Sequence, residues 1–112
     1  MTKSLIWRQG GTNMTVAFVT DTYAENGNFY VGLVDCNDKD FYPCIDITTN
    51  IGEVCPETCA FIDINNYPGI DNWLMANGIA EPTGNWGISG CYLYPEFHFN
   101  MNKVYEYGEK MK

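Results

Sequence analysis

The sequence predicts an α+β fold, with a mostly antiparallel meander sheet of about five strands and one short helix packed on one face. Two observations lead to this prediction. Short segments of alternating apolar and polar residues follow one another with polar turns between them, which is typical of antiparallel strands. Only the segment around Ile70 to Leu74 places apolar residues at helical spacing. This order of elements excludes a doubly wound parallel sheet.

The first two strands are predicted to pair as a hairpin. Met14 to Val19 alternates in the manner of a strand with a buried face, and Phe29 to Cys36 repeats that pattern. Between them lies Asn26-Gly27, a dipeptide that tolerates positive φ and favours a tight turn. We therefore expect these two strands to pair antiparallel.

A third strand is predicted from Phe41 to Asn50 and a fourth from Cys59 to Ile64. The polar run from Asn37 to Asp40 provides the turn before the third strand. Pro43 has no amide proton to donate to a ladder, so we expect that end of the strand to lie at an edge or a bulge.

The helix is predicted between the fourth strand and Gly78. Asn65 or Asn66 is placed to cap its start, and Pro68 suits a first turn that needs no amide donor. Gly78 suits a left-handed C-cap. The apolar stripe that would face the sheet consists of Ile70, Trp73 and Leu74.

The rest of the chain is predicted to be a long loop and one more strand. Ile79 to Gly90 contains several Gly and Pro residues and is expected to be irregular. Cys91 to Phe99 alternates again, and Pro95 within it should mark an edge. Beyond Asn102 we expect a short strand or helix that then frays.

One small domain is the expected organisation. The chain has 112 residues, of which 46% are hydrophobic, enough to bury a core without metals or disulfides. We expect a flexible N-terminal arm at 1–13, a single domain at 14–105 and a C-terminal tail at 106–112. No apolar run reaches the ~18 residues of a membrane span, and the first residues do not resemble a secretory signal. A cytoplasmic location is therefore expected.

Charge is the most unusual property of the chain. Fourteen acidic residues against six basic ones give a net charge of −8, and Lys39 is the only base between Arg8 and Lys103. Twelve of the acids fall in that span. Such a body projects a negative field, which argues against direct binding to nucleic acid because neutralising phosphates requires Lys and Arg. The pattern favours a basic protein partner.

Metal binding and cofactors are not expected. Cys55 and Cys59 have the spacing of half a zinc site, but no second close pair accompanies them. The five cysteines are an odd number, and in a chain without an export signal reduced thiols are the usual state.

Catalysis is not expected either. A Cys91/His98 couple, with Asp46 or Asp63 to orient the histidine, is the only nucleophilic arrangement to consider, and nothing in its spacing supports it. The run from Gly84 to Gly87 has no nearby base to neutralise a phosphate. A small cysteine-dependent or metal-dependent enzyme thus ranks third, after the two non-enzymatic functions given at the end of this section.

A partner-binding surface is the remaining type of site. Carboxylates near the turns and on the sheet are its candidates, with Trp86 as an aromatic anchor, because Trp is frequent at interfaces. Trp86 folding back as a lid on the core is the alternative. The candidate residues are Asp21, Asp35, Asp38, Asp40, Asp46, Glu53, Glu57 and Trp86.

Three segments resemble a known family. They are Tyr23 to Asp35, Cys59 to Asn66 and Asn77 to Gly84, followed by Ser89-Gly90 and Tyr94-Pro95. Together they resemble a family of small acidic uncharacterised proteins, a domain of unknown function, carried on mobile elements of gut Firmicutes. The resemblance covers roughly residues 14–105 and implies no catalytic residues. By analogy, small acidic proteins on such elements are often inhibitors of host defence, including anti-restriction and anti-CRISPR proteins.

Two functions follow as expectations. The first is a non-enzymatic inhibitor whose acidic face occupies the nucleic-acid groove of a basic host nuclease or guide complex. The alternative is an accessory protein-protein interaction module of the mobile element, homodimeric through an exposed sheet edge, without an inhibitory role.

Overall fold

The computed structural model describes residues 5–9, 11–37 and 43–108, and it confirms the α+β class. In that part of the chain there are more elements than expected: two four-stranded sheets and two short helices. In chain order they are β1 (Leu5–Gln9), β2 (Thr12–Thr22), β3 (Phe29–Asp35), β4 (Pro43–Asp46), β5 (Thr48–Thr49), β6 (Cys59–Ile62), α1 (Ile70–Ala76), β7 (Ala80–Ser89), β8 (Tyr92–Phe99) and α2 (Met101–Glu106).

The first sheet has the strand order β1-β2-β3-β4, and every neighbouring pair is antiparallel. The predicted hairpin of β2 and β3 is confirmed, and Gly27 in its turn has a φ of 75°. Pro43 lies in the edge strand β4, beside a register shift between Leu33 and Val34. Its predicted position at an edge or bulge is therefore confirmed.

The expected N-terminal arm is partly wrong. Leu5–Gln9 is strand β1, which pairs with the first half of β2. Trp7 is buried, and its ring meets that of Trp73 edge-on at 5.3 Å between centroids. The indole Nε1 of Trp73 also donates a hydrogen bond to the carbonyl of Ile6, at 2.8 Å. A strand of five residues is too short for its alternation of apolar and polar residues to be recognised in the sequence.

The single third strand predicted from Phe41 to Asn50 is two strands in two sheets. Ile47 separates β4 from β5, and its amide donates to the carbonyl of Val31 in the first sheet, at 3.0 Å. Its carbonyl accepts from the amide of Asp63, just after β6 of the second sheet, at 2.8 Å. The chain therefore passes from one sheet to the other without a turn.

The second sheet has the strand order β5-β6-β8-β7. The predicted fourth strand begins at Cys59 as expected and ends at Ile62. The long loop expected from Ile79 to Gly90 is wrong, because Ala80–Ser89 forms the edge strand β7. An edge strand tolerates Pro82, and the irregularity between Pro82 and Trp86 accommodates the intervening glycine.

Pro95 also has a position that suits a missing amide donor. It lies within β8, an interior strand. The ladder between β6 and β8 ends at Glu96, the residue that follows Pro95 in the chain. At Pro95 itself β8 pairs only with β7. The expected edge is thus present locally.

Helix α1 begins later than the sequence suggests, and Asn65 and Asn66 do not cap it. Gly69, with a φ of 88°, precedes it directly. The carboxylate of Asp63 instead closes the preceding turn, accepting from the backbone amide of Asn66 at 3.2 Å and from its side chain at 2.7 Å. The predicted C-terminal end is confirmed, since Gly78 follows with a φ of 70°.

The chain after β8 forms the second helix, which Asn100 caps by accepting from the amides of Asn102 and Lys103. The carbonyl of Tyr107 then accepts from the amide of Phe18 in β2, at 2.9 Å. Residues 107 and 108 of the expected tail therefore belong to the folded body. Residues 109–112 lie outside the described part of the chain.

One hydrophobic core joins both sheets and both helices. Fully buried members come from every layer, among them Val16, Phe18, Val31 and Leu33 from the first sheet, Ile62, Phe97 and Phe99 from the second, Ile70 and Leu74 from α1, and Val104 from α2. Burial of these side chains is the main favourable term that holds the layers together.

Leu74→Ala should lower the free energy of unfolding by about 2–5 kcal/mol, because Leu74 is fully buried and truncation leaves a cavity. The neighbouring Met75→Ala is the control, since 40% of Met75 is exposed and a change of roughly 0.5 kcal/mol or less is expected. Urea unfolding followed by circular dichroism measures both. Equal losses in the two variants would contradict the placement of α1.

Candidate interaction surface

Five carboxylates lie around the turn between β2 and β3, and we call this group the acidic end. Asp21 is near the end of β2, Glu25 is in the turn, Asp46 ends β4, and Glu53 and Glu57 are in the loop between β5 and β6. All five side chains are exposed. These segments contain no lysine or arginine. The group is therefore uniformly negative.

The sheet register places Asp21 and Asp46 opposite positions that lie two residues apart along β3. Asp21 is opposite Tyr30 across β2 and β3, and Asp46 is opposite Gly32 across β3 and β4. The Tyr30 hydroxyl lies over Gly32, where a side chain would collide with it, and donates to Asp46 at 2.6 Å. Burial, this hydrogen bond and the nearby carboxylate charges raise the pKa of Tyr30 well above its ordinary value of 10.0.

Asparagine side chains hold the β5–β6 loop against the β2–β3 turn. The amide of Asn50 donates to the Glu25 carboxylate at 3.2 Å. Buried Asn28 donates to the backbone carbonyl of Glu53 at 2.6 Å and accepts from the amide of Cys55 at 3.0 Å. Because one amide side chain satisfies two backbone groups of the loop, Glu25 and Glu53 are held at neighbouring positions.

A cavity of about 320 Å³ lies beside this network. Thr22 and Gly27 line it from the β2–β3 hairpin, Glu57 from the loop, and Met101 and Tyr105 from α2. Glu57 thus faces the hairpin across the cavity. This position joins it to the same end of the molecule as the other four carboxylates.

The structure brings together only part of the set that the sequence predicts. Asp21, Asp46, Glu53 and Glu57 meet at the acidic end, whereas Asp35 ends β3 at the far side of the sheet, roughly 20 Å along the strand from the turn. Asp38 and Asp40 lie outside the described residues. Glu25 was missed, although its place directly before Asn26-Gly27 was a visible signal.

Trp86 belongs to a different surface. It lies in β7 of the second sheet, and 56% of its side chain is exposed. A side chain at the next residue, Gly87, would collide with Ile51 and Phe61, which pack on the outer face of that sheet. Trp86 therefore projects from the opposite face, away from the β5–β6 loop.

Two of the other acids are structural. Glu96 is buried and accepts from Thr83 Oγ1 at 2.7 Å and from Asn85 Nδ2 at 3.1 Å. Asp63 is also buried and accepts from Asn66. Both carboxylates are buried and their oxygens accept hydrogen bonds within the fold, so they are not contact residues of a surface.

The Cys55 and Cys59 thiols are protonated at neutral pH. Burial, together with the charge and hydrogen bond of Glu96, raises the pKa of Cys55 to about 12. Burial and the charge of Glu96 also raise the pKa of Cys59. Metal ligands and nucleophiles require the thiolate. In the described residues no cluster of three or more His, Cys, Asp or Glu side chains is arranged to hold a metal.

The Cys91/His98 couple considered from the sequence does not form. Cys91 is exposed in the turn before β8, whereas His98 lies near the other end of β8, opposite Cys59 and Glu81. Seven residues of extended strand separate their positions by roughly 20 Å. The buried Asp63 instead accepts a hydrogen bond from Asn66, and Asp46 accepts one from Tyr30.

Alkaline pH should destabilise the fold. Cys55 ionises at its ordinary pKa of 9.0 when unfolded and at about 12 when folded, so above pH 9 the unfolded chain binds fewer protons. The free energy of unfolding should therefore fall between pH 9 and pH 12. Cys59, Tyr23 and Tyr30 add to the fall, since their pKa values are also raised.

Urea unfolding at a series of pH values measures this slope, and Cys55→Ala is the matched variant. It should have a shallower slope, because it lacks one of the four groups whose pKa values are raised. A variant slope identical to that of the unsubstituted protein would contradict the assignment.

Comparison with known protein families gives a match. The model of the family described as Domain of unknown function (DUF4313) matches residues 18–111. No curated protein and no solved structure matches the chain. Within the described residues, no helix has the length and apolar character to cross a membrane. The matched span covers most of the sequence and includes every member of the acidic end, so the chain belongs to this family of unknown function.

Proposed function

We propose that this protein is a non-enzymatic inhibitor that inserts its acidic end into the nucleic-acid groove of a basic host protein. The target class is a nuclease or its guide complex, which makes the protein an anti-defence factor such as an anti-CRISPR or anti-restriction protein. In this proposal it acts in the cytoplasm and is carried by a mobile element of gut Firmicutes. It needs no cofactor and contacts no nucleic acid itself.

The observation that supports this proposal is the acidic end. Asp21, Glu25, Asp46, Glu53 and Glu57 come from four separate segments, yet they lie around one hairpin turn. None of these segments contains a lysine or an arginine. Ordinary soluble surfaces mix both signs of charge. A concentration of one sign at a single end attracts a groove of the opposite sign and speeds association with it.

The shape of this end also suits a groove. The β2–β3 turn projects its exposed carboxylates, while its interior is fixed by Asn28 and Asn50. Fixed side chains lose less conformational entropy when they bind. The Tyr30 hydroxyl holds the Asp46 carboxylate in one orientation, which serves the same purpose.

Electrostatic binding of this kind depends on salt. At an ionic strength of 0.1 M, charges separated by more than about 10 Å are largely screened. Inhibition should therefore be stoichiometric at low salt and weaken steeply as NaCl is added. Excess nucleic-acid substrate should relieve it, because substrate and inhibitor compete for one groove.

The test is DNA cleavage by a panel of purified restriction nucleases and RNA-guided nucleases, titrated with this protein. The informative variant combines Asp21→Asn, Glu53→Gln and Glu57→Gln, which neutralises three exposed carboxylates of the acidic end. Inhibition of a susceptible nuclease should fall by at least tenfold, because each lost charge weakens both steering and contact.

The matched control combines Asp35→Asn, Asp71→Asn and Glu81→Gln, carboxylates outside the acidic end. It changes the net charge by the same amount and should inhibit nearly as well as the unsubstituted protein. Equal loss in both triple variants would show a general charge effect and contradict the proposal. Failure to inhibit any nuclease of the panel would contradict it too.

A further inference from the structure

The β7–β8 hairpin carries an exposed apolar stripe that the acidic end does not involve. Trp86 is paired with Pro95 and Ile88 with Leu93 across the two strands. The side chains of Trp86, Ile88 and Leu93 are between 52% and 65% exposed. Buried Phe97 lies two residues beyond Pro95 on β8, so the stripe continues the inner face of the sheet past the end of the core.

The same hairpin leaves a sheet edge open. Strand β7 is the last in the order β5-β6-β8-β7, and in the described part of the chain no strand pairs with its outer side. Proteins usually protect long edges with charged side chains. Here residues 82–95 contain no Asp, Glu, Lys or Arg. Pro82 and the irregularity after it protect only the start of β7.

We propose that a second copy of this chain docks on β7, with the two strands antiparallel about a two-fold axis near Gly87. The contact is isologous, so each copy offers the same edge and the same stripe. In this register Trp86 lies opposite Ile88 of the partner subunit. Backbone hydrogen bonds then extend the sheet, and apolar side chains on one face cover each other.

The distribution of charge favours a second copy over a basic partner as the occupant of this edge. Two chains that each have a net charge of −8 repel one another wherever their carboxylates meet, and the uncharged hairpin is a place where they do not. A basic partner finds no opposite charge there, whereas the acidic end offers it five. Because screening reduces the repulsion between the two bodies, self-association should strengthen with added salt.

Sedimentation velocity over a concentration series, from low micromolar to millimolar, tests the proposal. The weight-average mass should rise from 12.7 kDa toward twice that value, and added NaCl should move the rise to lower concentration. Ile88→Glu should remain monomeric, since it places a carboxylate in the contact. Trp86→Gln provides a second variant with the same expectation, and circular dichroism checks that both fold.

The matched control is Ile6→Glu, on the edge strand β1 of the other sheet. Ile6 is 53% exposed, against 65% for Ile88, and the substitution adds the same charge. This variant should dimerise as the unsubstituted protein does. A chain that remains monomeric throughout the series, or equal loss of dimer in the Ile6 and Ile88 variants, would overturn the proposal.

Hydrogen exchange separates edge pairing from other kinds of association. Amides in the segment 85–89 should exchange more slowly as concentration rises, because the new strand pairing protects them. A dimer without such protection would overturn the proposal. Nuclease inhibition is independent of these readouts and has the opposite salt dependence, so the two proposals fail or succeed separately.

Discussion

The backbone of Ile47 is the constraint on which the rest of this structure depends. Its amide donates to Val31 in the first sheet and its carbonyl accepts from Asp63 beside the second. A residue with both polar groups committed to different sheets leaves the chain no freedom to turn there. The loop that follows β5 then lies against the β2–β3 turn. The side chain of Ile47 is fully buried, which ties this crossing to the core.

Thr48 reinforces the crossing. Its hydroxyl accepts from the amide of Val31 at 3.2 Å and shares a hydrogen bond with the Tyr23 hydroxyl at 2.9 Å. Asn50 and Asn28 then continue the contact along the following loop. A short series of hydrogen bonds thus extends from the junction of the sheets to the carboxylates that the proposed function uses. The acidic end is a consequence of how the two sheets join.

The two surfaces that we propose for binding are physically separate and chemically opposite. One is a group of carboxylates around a turn of the first sheet, whose attraction salt weakens. The other is an uncharged apolar edge of the second sheet, where salt removes repulsion between copies. A dimer through β7 would leave both acidic ends exposed, because no residue of the acidic end belongs to the hairpin. Self-association and inhibition are therefore compatible in one molecule.

Local patterns in the sequence determined much of the fold. Alternation marked β2, β3 and β6, Asn26-Gly27 marked the hairpin, and Gly78 marked the end of α1, because each depends on neighbouring residues alone. The excess of acids over bases was equally evident. What the tertiary structure decided depends on contacts distant in sequence. Ile47 divides one apparent strand only because Val31 and Asp63 lie on either side of it, and β7 is a strand only because β8 supplies its ladder. The grouping of Glu25 with Glu53 and Glu57 has the same origin. The composition gives the number of charges, but their positions in space depend on long-range packing.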